Sequence, residues 1–309
     1  MRVLGIGDNV CDKYLETGTI YPGGNAMNFA VFSKELGVES AYLGVFGDDE
    51  VGAHIHQVVE ALGLDLSHAR YAKGLNGMAR AMLVEGDRVF LPGHAGVART
   101  CAPVLSDLDL EYMKGFDILH TSIYSYMESE LPVMRASGAF VSMDFSDDYS
   151  EEYLKQCCPF VDCAILSCGG KSEEEINHLI DLTSELGCSV IITTRGSKGA
   201  LVTVNGKRYE QSPYLVKAID TMGAGDAFLT CFLLHYVEGL KEAVDFPEGS
   251  DRGIVTKEGY LDALIRLSLY QAALFSARQC QRSGSFGHGR QVGLNEEDRE
   301  VMKKKGLAF

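Results

Sequence analysis

The stretch Ile219-Asp220-Thr221-Met222-Gly223-Ala224-Gly225-Asp226-Ala227-Phe228-Leu229 opens a long apolar run that continues to Leu240. Apolar residues at helical spacing follow Asp226, so the segment predicts a helix with an acid in its first turn. Two glycines directly before that acid admit two readings. One is a flexible entry into a capped helix. The other is an anion cradle, in which the unpaired amides of the first turn face a phosphate and Asp226 lies inside as a base. The remainder of the chain decides between them.

Upstream of this stretch, short β-branched or apolar runs alternate with helical patterns, the signature of a mainly parallel sheet covered on both faces. The expected strands are RVLGIGD, SAYLGVFG, DILHTSI, AFVSMDFS, VDCAILS and CSVIITT. Between them NAMNFAVFSKELG reads as a helix stopped at Leu36-Gly37, and SEEEINHLIDLTSELG as one capped by Ser172 and closed by Gly187. GALVTVNGKRYE predicts a hairpin turning at Asn205-Gly206. GMARAMLVEGDRVFLPGHAGV breaks the alternation and reads as two strands joined at Glu85-Gly86-Asp87. With the segment Cys11 to Tyr21 it predicts a small β lid, about 11–21 and 70–98, inserted in a single α/β domain spanning 1–309. DFPEGSDRGIVTKEG is turn-rich and reads as a loop ahead of a helix from about Ala263 to Arg282.

A net charge of -15 and a pI near 5.0, with no run of Lys or Arg, exclude a nucleic-acid stripe and a polybasic membrane anchor. A phosphate site in such a chain needs local positive potential from backbone amides, a metal or single basic residues. No apolar run reaches the roughly 18 residues of a membrane span. Met1-Arg2 runs directly into the strand-like VLGIGD, so no leader is expected, and nine cysteines without a C-x-x-C pair favour a reducing cytoplasm. Cys157, Cys158, Cys163 and Cys168 read as small buried residues, since a structural zinc site has closer paired spacing.

In open α/β sheets ligands bind beyond the carboxyl ends of the strands, so polar groups there are the candidate site. Asp8, Asn9 and Asp12 follow the first strand and suit a polyol, or else a solvated turn with a helix cap. Gly23 and Gly24 permit backbone approach to a ligand. Asn25 and Asn28 share one helix face and reach the same ligand, unless Asn25 is only a cap. Gly44, Gly47 and Asp48-Asp49 read as a strand end and a helix cap. Asp144 ends a central strand where a metal-bound phosphate would lie, with Ser146 starting the next helix. Thr194, Gly196 and Gly199 form a T-x-G-x-x-G turn suited to a nucleotide. There is neither a G-x-x-x-x-G-K-[ST] nor a complete G-x-G-x-x-G after the first strand, which excludes a P-loop protein and removes the main support for a dinucleotide fold.

Asp220 to Asp226, D-T-x-G-A-G-D, resembles the second signature of the ribokinase-like, or PfkB, family of carbohydrate kinases. Gly44 to Gly52 resembles the first signature, Gly23 to Asn25 the sugar-binding G-G-N, and Thr194 to Gly199 the nucleotide motif, all in the family's order. The segments DRVF, SGAFVSMDFSD, IDTMGAGD and GDNVCDKY look most like the members that phosphorylate Amadori compounds, sugars joined to an amino acid, such as fructoselysine.

The resemblance implies a three-layer α/β fold with a β lid and ATP-dependent phosphorylation of a primary sugar hydroxyl. Asp226 is then the base, and Gly223, Ala224 and Gly225 form the anion hole. Asp8, Asn9, Asp12, Gly23, Gly24, Asn25 and Asn28, with Arg88 and Phe90 from the lid, bind the sugar. Thr194, Gly196 and Gly199 bind ATP. Asp144 is a candidate for Mg²⁺. The family's N-x-x-E is replaced by Ser167-Cys168-Gly169-Gly170, leaving Glu174 as a substitute metal residue. Asp220 matches the family's monovalent-cation loop but Met222 stands in place of its Thr, so a monovalent cation has no firm footing. The expected partners are sugar and ATP, with no nucleic acid and no membrane, and a homodimer through Met78, Met82, Val84, Val89 and Phe90 of the lid. The competing readings are a kinase for another ketose or a nucleoside, and a catalytically silent sugar-binding sensor.

Overall fold

The computed structural model describes residues 1–84, 87–244 and 256–306, and at 83, 84, 87 and 88 the backbone alone. Its strands are β1 Arg2–Gly7, β2 Val10–Tyr14, β3 Thr19–Gly23, β4 Glu39–Gly47, β5 Arg70–Ala72, β6 Gly77–Val84, β7 Asp87–His94, β8 Ile118–Ser122, β9 Phe140–Asp144, β10 Cys163–Ser167, β11 Val190–Thr194, β12 Ala200–Val204, β13 Lys207–Gln211 and β14 Arg290–Gln291. The helices are α1 Asn25–Glu35, α2 Glu50–Ala61, α3 Val97–Thr100, α4 Asp107–Met113, α5 Leu131–Ala136, α6 Glu151–Cys157, α7 Glu173–Glu185, α8 Ala224–Val244, α9 Lys257–Gln279 and α10 Glu296–Lys304.

Nine strands form one sheet in the order β13-β12-β11-β10-β9-β8-β1-β4-β5. From β11 to β5 every pairing is parallel, and β12 and β13 add an antiparallel edge. Parallel strands joined by helices must be covered on both faces. Two apolar layers do this: α1, α2, α8 and α9 supply one, and α4, α5, α6 and α7 the other. Alternation along β1 shows the division, with Val3 in the first layer and Leu4 and Ile6 in the second. Gly5 lies under α1 so closely that a Cβ would fall 2.2 Å from the Ala26 carbonyl oxygen. That approach brings the N-terminus of α1 to the carboxyl end of β1, beside the N-terminus of α8.

All six expected strands are present, as is the hairpin at Asn205-Gly206, where both residues have positive φ, 47° and 79°. Ser172 caps α7 with Glu175 completing a capping box, and Asp49 caps α2. Ser146 starts no helix: it has φ 52°, and α6 begins five residues later under the Ser150 cap. The last long helix begins and ends earlier than its periodicity suggested. Thr256 caps it by accepting from the Gly259 amide, and Arg282 lies past its end. Asp245 to Val255 and the turn residues Glu85-Gly86 lie outside the described residues.

A second sheet, in the order β14-β3-β2-β6-β7, corresponds to the expected lid strands. Two of its boundaries differ from the sequence reading. Arg70–Ala72 pairs with β4 in the larger sheet, and Arg290–Gln291 pairs with β3 in the smaller one. A two-residue strand 270 residues downstream of its partner leaves no periodic signal in the sequence. All nine cysteines are free thiols, and Cys157, Cys158, Cys163 and Cys168 are buried. Among the described residues no helix is long and apolar enough to cross a membrane.

Candidate active site

Residues from α1, α8, β9 and both ends of the chain meet where the carboxyl end of the larger sheet faces the smaller one. Gly24, with φ 108°, precedes α1 and offers no side chain to cap it. Asp8 takes that role from another element: its Oδ2 accepts from the Asn25 amide at 2.7 Å and its Oδ1 from the Ala26 amide at 3.2 Å. The hydroxyls of Ser122 and Ser125 donate to the same Oδ1 at 2.8 and 2.7 Å. Asp8 is therefore turned inward, holding α1 to β8. Asn9 is also inward, donating to Tyr42 Oη at 2.7 Å and to the Val45 carbonyl at 2.9 Å while accepting from Asn76 at 2.9 Å. A Cβ on Gly24 would meet Asn9 Cα and Asp8 Oδ2 at 2.9 Å, so this glycine serves the turn.

Since Asp8 does the capping, the side chain of Asn25 is released for the site. Its Nδ2 donates to Asp144 Oδ2 at 2.9 Å and to Asp226 Oδ1 at 3.3 Å. One helical turn on, Asn28 Nδ2 donates to Asp226 Oδ2 at 2.7 Å and to Ser285 Oγ at 3.2 Å. The two amides lie on one helix face and converge on one carboxylate. Asn28 is buried, and its Oδ1 has no hydrogen-bond partner. That acceptor lies near Gly23, where a Cβ would sit 2.8 Å from Asp12 Oδ2 and 3.8 Å from Asn28 Oδ1. A buried acceptor without a donor costs free energy, so the place calls for a hydroxyl or amine of a ligand or a water.

Asp226 stands in the first turn of α8. Burial pushes its pKa well above the ordinary carboxylate range, the Asp144 charge pushes further, Asn28 opposes, and Asp8 and Asp12 add to the rise. Burial likewise raises Asp144 to about 6, against the pull of the Ser146 amide and Asn25, with Asp8 and Asp147 adding to the rise. The Ser146 amide reaches Asp144 Oδ1 at 2.7 Å, which explains its left-handed backbone.

The glycines before Asp226 have different duties. Gly223 has φ 71°, and a Cβ there would touch Ser285 at 3.0 Å. Gly225 faces open space, with nothing within 4 Å of an added Cβ. Among the described residues no backbone acceptor takes the amides of Gly225 and Asp226, whereas the Ala224 amide bonds the Thr221 carbonyl at 3.2 Å. The cradle open to an anion is therefore narrower than the sequence implied. Asp220 pins it from below, accepting from Met222 N at 2.9 Å, from Gly284 N at 2.8 Å and from the Tyr14 hydroxyl.

Thr194 ends β11, and Gly196 (φ 58°) opens the next turn with free space around it. Gly199 is needed by the hairpin, since a Cβ would meet the Gln211 carbonyl oxygen at 2.1 Å. Glu174 is exposed in the first turn of α7 and takes no part in the Asp226 cluster. Among the described residues no three His, Cys, Asp or Glu side chains converge to hold a metal. The side chain of Arg88 lies outside the described residues; Phe90 is exposed on β7, opposite Ala81. Met82, expected on an outer surface, is buried with Leu15, Leu91 and Met302. Ser285 and Gln279 escaped the sequence reading. Gln279 Nε2 holds the Met222 and Gly284 carbonyls at 2.9 Å each, and the glycine-rich run Gly284 to Gly289 was the one signal for this segment.

Residues 3–259 match the family model described as pfkB family carbohydrate kinase. The chain is 35% identical over 291 residues to the fructosamine kinase FrlD of Bacillus subtilis, covering 94% of each chain. It is 31% identical over 235 residues to the fructoselysine 6-kinase of Escherichia coli, covering 76% of this chain and 89% of that one. In fold it resembles the ribokinase of Arabidopsis thaliana, solved with ribose and ATP, with a TM-score of 0.73, 20% identity and 98% of both chains covered. The chain thus belongs to the pfkB family of carbohydrate kinases, and its reaction is the ATP-dependent phosphorylation of a sugar hydroxyl.

Proposed function

We propose that the sugar is an Amadori compound, fructoselysine or a related fructosamine, phosphorylated on its primary 6-hydroxyl. The reading is supported by identity to a fructosamine kinase and a fructoselysine kinase along most of the chain. The observation that carries the chemistry is the setting of Asp226, held by Asn25 and Asn28 at the mouth of a helix where the Gly225 and Asp226 amides take no backbone acceptor.

Asp12, Gly23 and the unpartnered Asn28 Oδ1 receive the sugar hydroxyls, and Asp226 takes the proton of the attacking one. A raised carboxylate pKa suits this task, because a base works best when its pKa approaches the working pH. Backbone amides at Gly225 and Asp226, with the dipole of α8 behind them, stabilise the charge on the transferring phosphoryl group. Phosphoryl transfer depends mostly on such positioning and charge stabilisation. In a site this acidic the amides are the positive pole. Thr194 and Gly196 border the nucleotide. Mg²⁺ would be held by ATP, water and Asp144 and would supply shielding of the phosphate charge, the described residues forming no cage of three acids or thiols for it. Two copies pair through the smaller sheet, where Val89 and Phe90 are exposed, and the free thiols suit a reducing cytoplasm.

The test is ADP release by purified protein with ATP and Mg²⁺ against fructoselysine, other fructosamines, ribose, fructose, fructose 6-phosphate and nucleosides. Fructosamines are expected to give the highest kcat/KM. A preference for a nucleoside or a plain ketose would overturn the substrate, and silence across the panel would favour a sensor.

A further inference from the structure

The smaller sheet has a back as well as a front. Neighbours on a strand point to opposite faces, so Asp12 and Tyr14 of β2 look one way and Lys13 the other. Register sets Arg80 of β6 beside Lys13. Behind them lies Asp298 of α10, fully buried, bonded to Lys13 Nζ through Oδ2 and to Arg80 Nε through Oδ1 at 2.8 Å. The side chains of Lys13 and Arg80 are 5% and 2% exposed. Arg80 also pairs with Glu297 at 2.8 Å and donates to the Pro92 carbonyl at 2.7 Å. Asp298 is at the same time part of the capping box of α10, accepting from Asn295 N at 2.9 Å. The apolar contact of Met302 with Leu15, Met82 and Leu91 completes the seat of the helix.

We propose that Asp298 is a positioning residue for sugar binding, fixing β2 and β6 from behind and thereby the place of Asp12 in front. The inference rests on the reading of Asp12 as a sugar ligand. Two buried cations meet one buried acid here, and removing the acid leaves both without it in a place that water cannot easily enter. Strand β2 must then shift or open to hydrate Lys13, and Asp12 is the next residue along it. The nucleotide turn after β11 of the larger sheet has no part in this network, and β2 reaches the turn before α8 through the Tyr14 hydroxyl on Asp220, so a shift of β2 bears on turnover more than on ATP binding.

The test is steady-state kinetics and hydrogen exchange on Asp298→Asn, with Met302→Ala as a milder loosening of the same helix should the first fail to fold. For Asp298→Asn the sugar KM is expected to rise about tenfold or more, with the ATP KM within about twofold. For Met302→Ala a rise of about threefold is expected, with the same asymmetry. Amides of β2 are expected to exchange about 100-fold faster in Asp298→Asn while those of β10 are unchanged. An unchanged sugar KM, an equal loss toward ATP, or exchange that accelerates everywhere would overturn the proposal. If the unmodified protein phosphorylates no sugar, the proposed function fails, and the exchange pattern still decides whether Asp298 holds β2.

Discussion

Asn25 donates to two carboxylates at once, Asp144 and Asp226, and between acids so placed the charge of Asp144 raises the pKa of Asp226. Asp226→Asn is expected to lower kcat about 10³-fold while sugar affinity, measured by calorimetry, stays within about threefold. Its melting temperature should not fall, because the mutation removes a charge that burial and Asp144 both disfavour. Near-normal turnover would end the role of Asp226 as base. The pair also sets a pH dependence. In the unfolded chain both acids lose protons near 3.8, whereas folded Asp144 keeps its proton to about 6 and Asp226 is raised as well. Through that window the folded state binds more protons than the unfolded, so stability present at low pH is lost as pH rises. Thermal melts of ligand-free protein are expected to decline from about pH 4 to about pH 6, on the order of 3 kcal/mol for Asp144. Asp144→Asn should flatten the decline; an equally steep curve would contradict it.

At the scale of an element, the turn before α8 separates two kinds of glycine. Gly225→Ala is expected to stabilise the helix by about 0.5–1 kcal/mol and yet lower kcat/KM for ATP about tenfold, since the new methyl enters open space that the phosphate needs. Gly223→Ala is expected to destabilise by about 1–2 kcal/mol, because the residue has positive φ and Ser285 stands against it. Denaturation curves and kinetics on the two variants would distinguish these roles, and equal behaviour would refute them. The G-A-G-D pattern was readable because helix start, acid and glycines are contiguous, and the strands because buried parallel strands are continuous apolar runs. The inward hydrogen bonds of Asp8 and Asn9 were not legible, because sequence shows which residues end a strand but not which way they turn. Ser122, Ser125 and Asn76, which claim them, come from the end of β8, the turn after it and the approach to β6, over 60 residues away. Glu174 was proposed for its proximity to a missing motif; the exposed first turn of α7 where it lies is a capping structure, centred on Ser172 and Glu175.

On the scale of the whole molecule, the exposed side chains of the smaller sheet bear on assembly. Phe90, 60% exposed, is expected to be covered in a pair of copies, and Phe90→Ser should move the sedimentation coefficient to that of a monomer. A monomeric parent protein would dispose of this pairing. The smaller sheet also joins distant parts of the chain, since β14 pairs with β3 and Asp298 meets Lys13 across 285 positions. During synthesis the strands of the larger sheet emerge in an order that lets neighbours pair early, but β2 and β3 must wait for residues 290–302. A nascent chain can therefore pair the strands of its larger sheet before the smaller sheet is fastened, and the two are held together only as those late residues arrive.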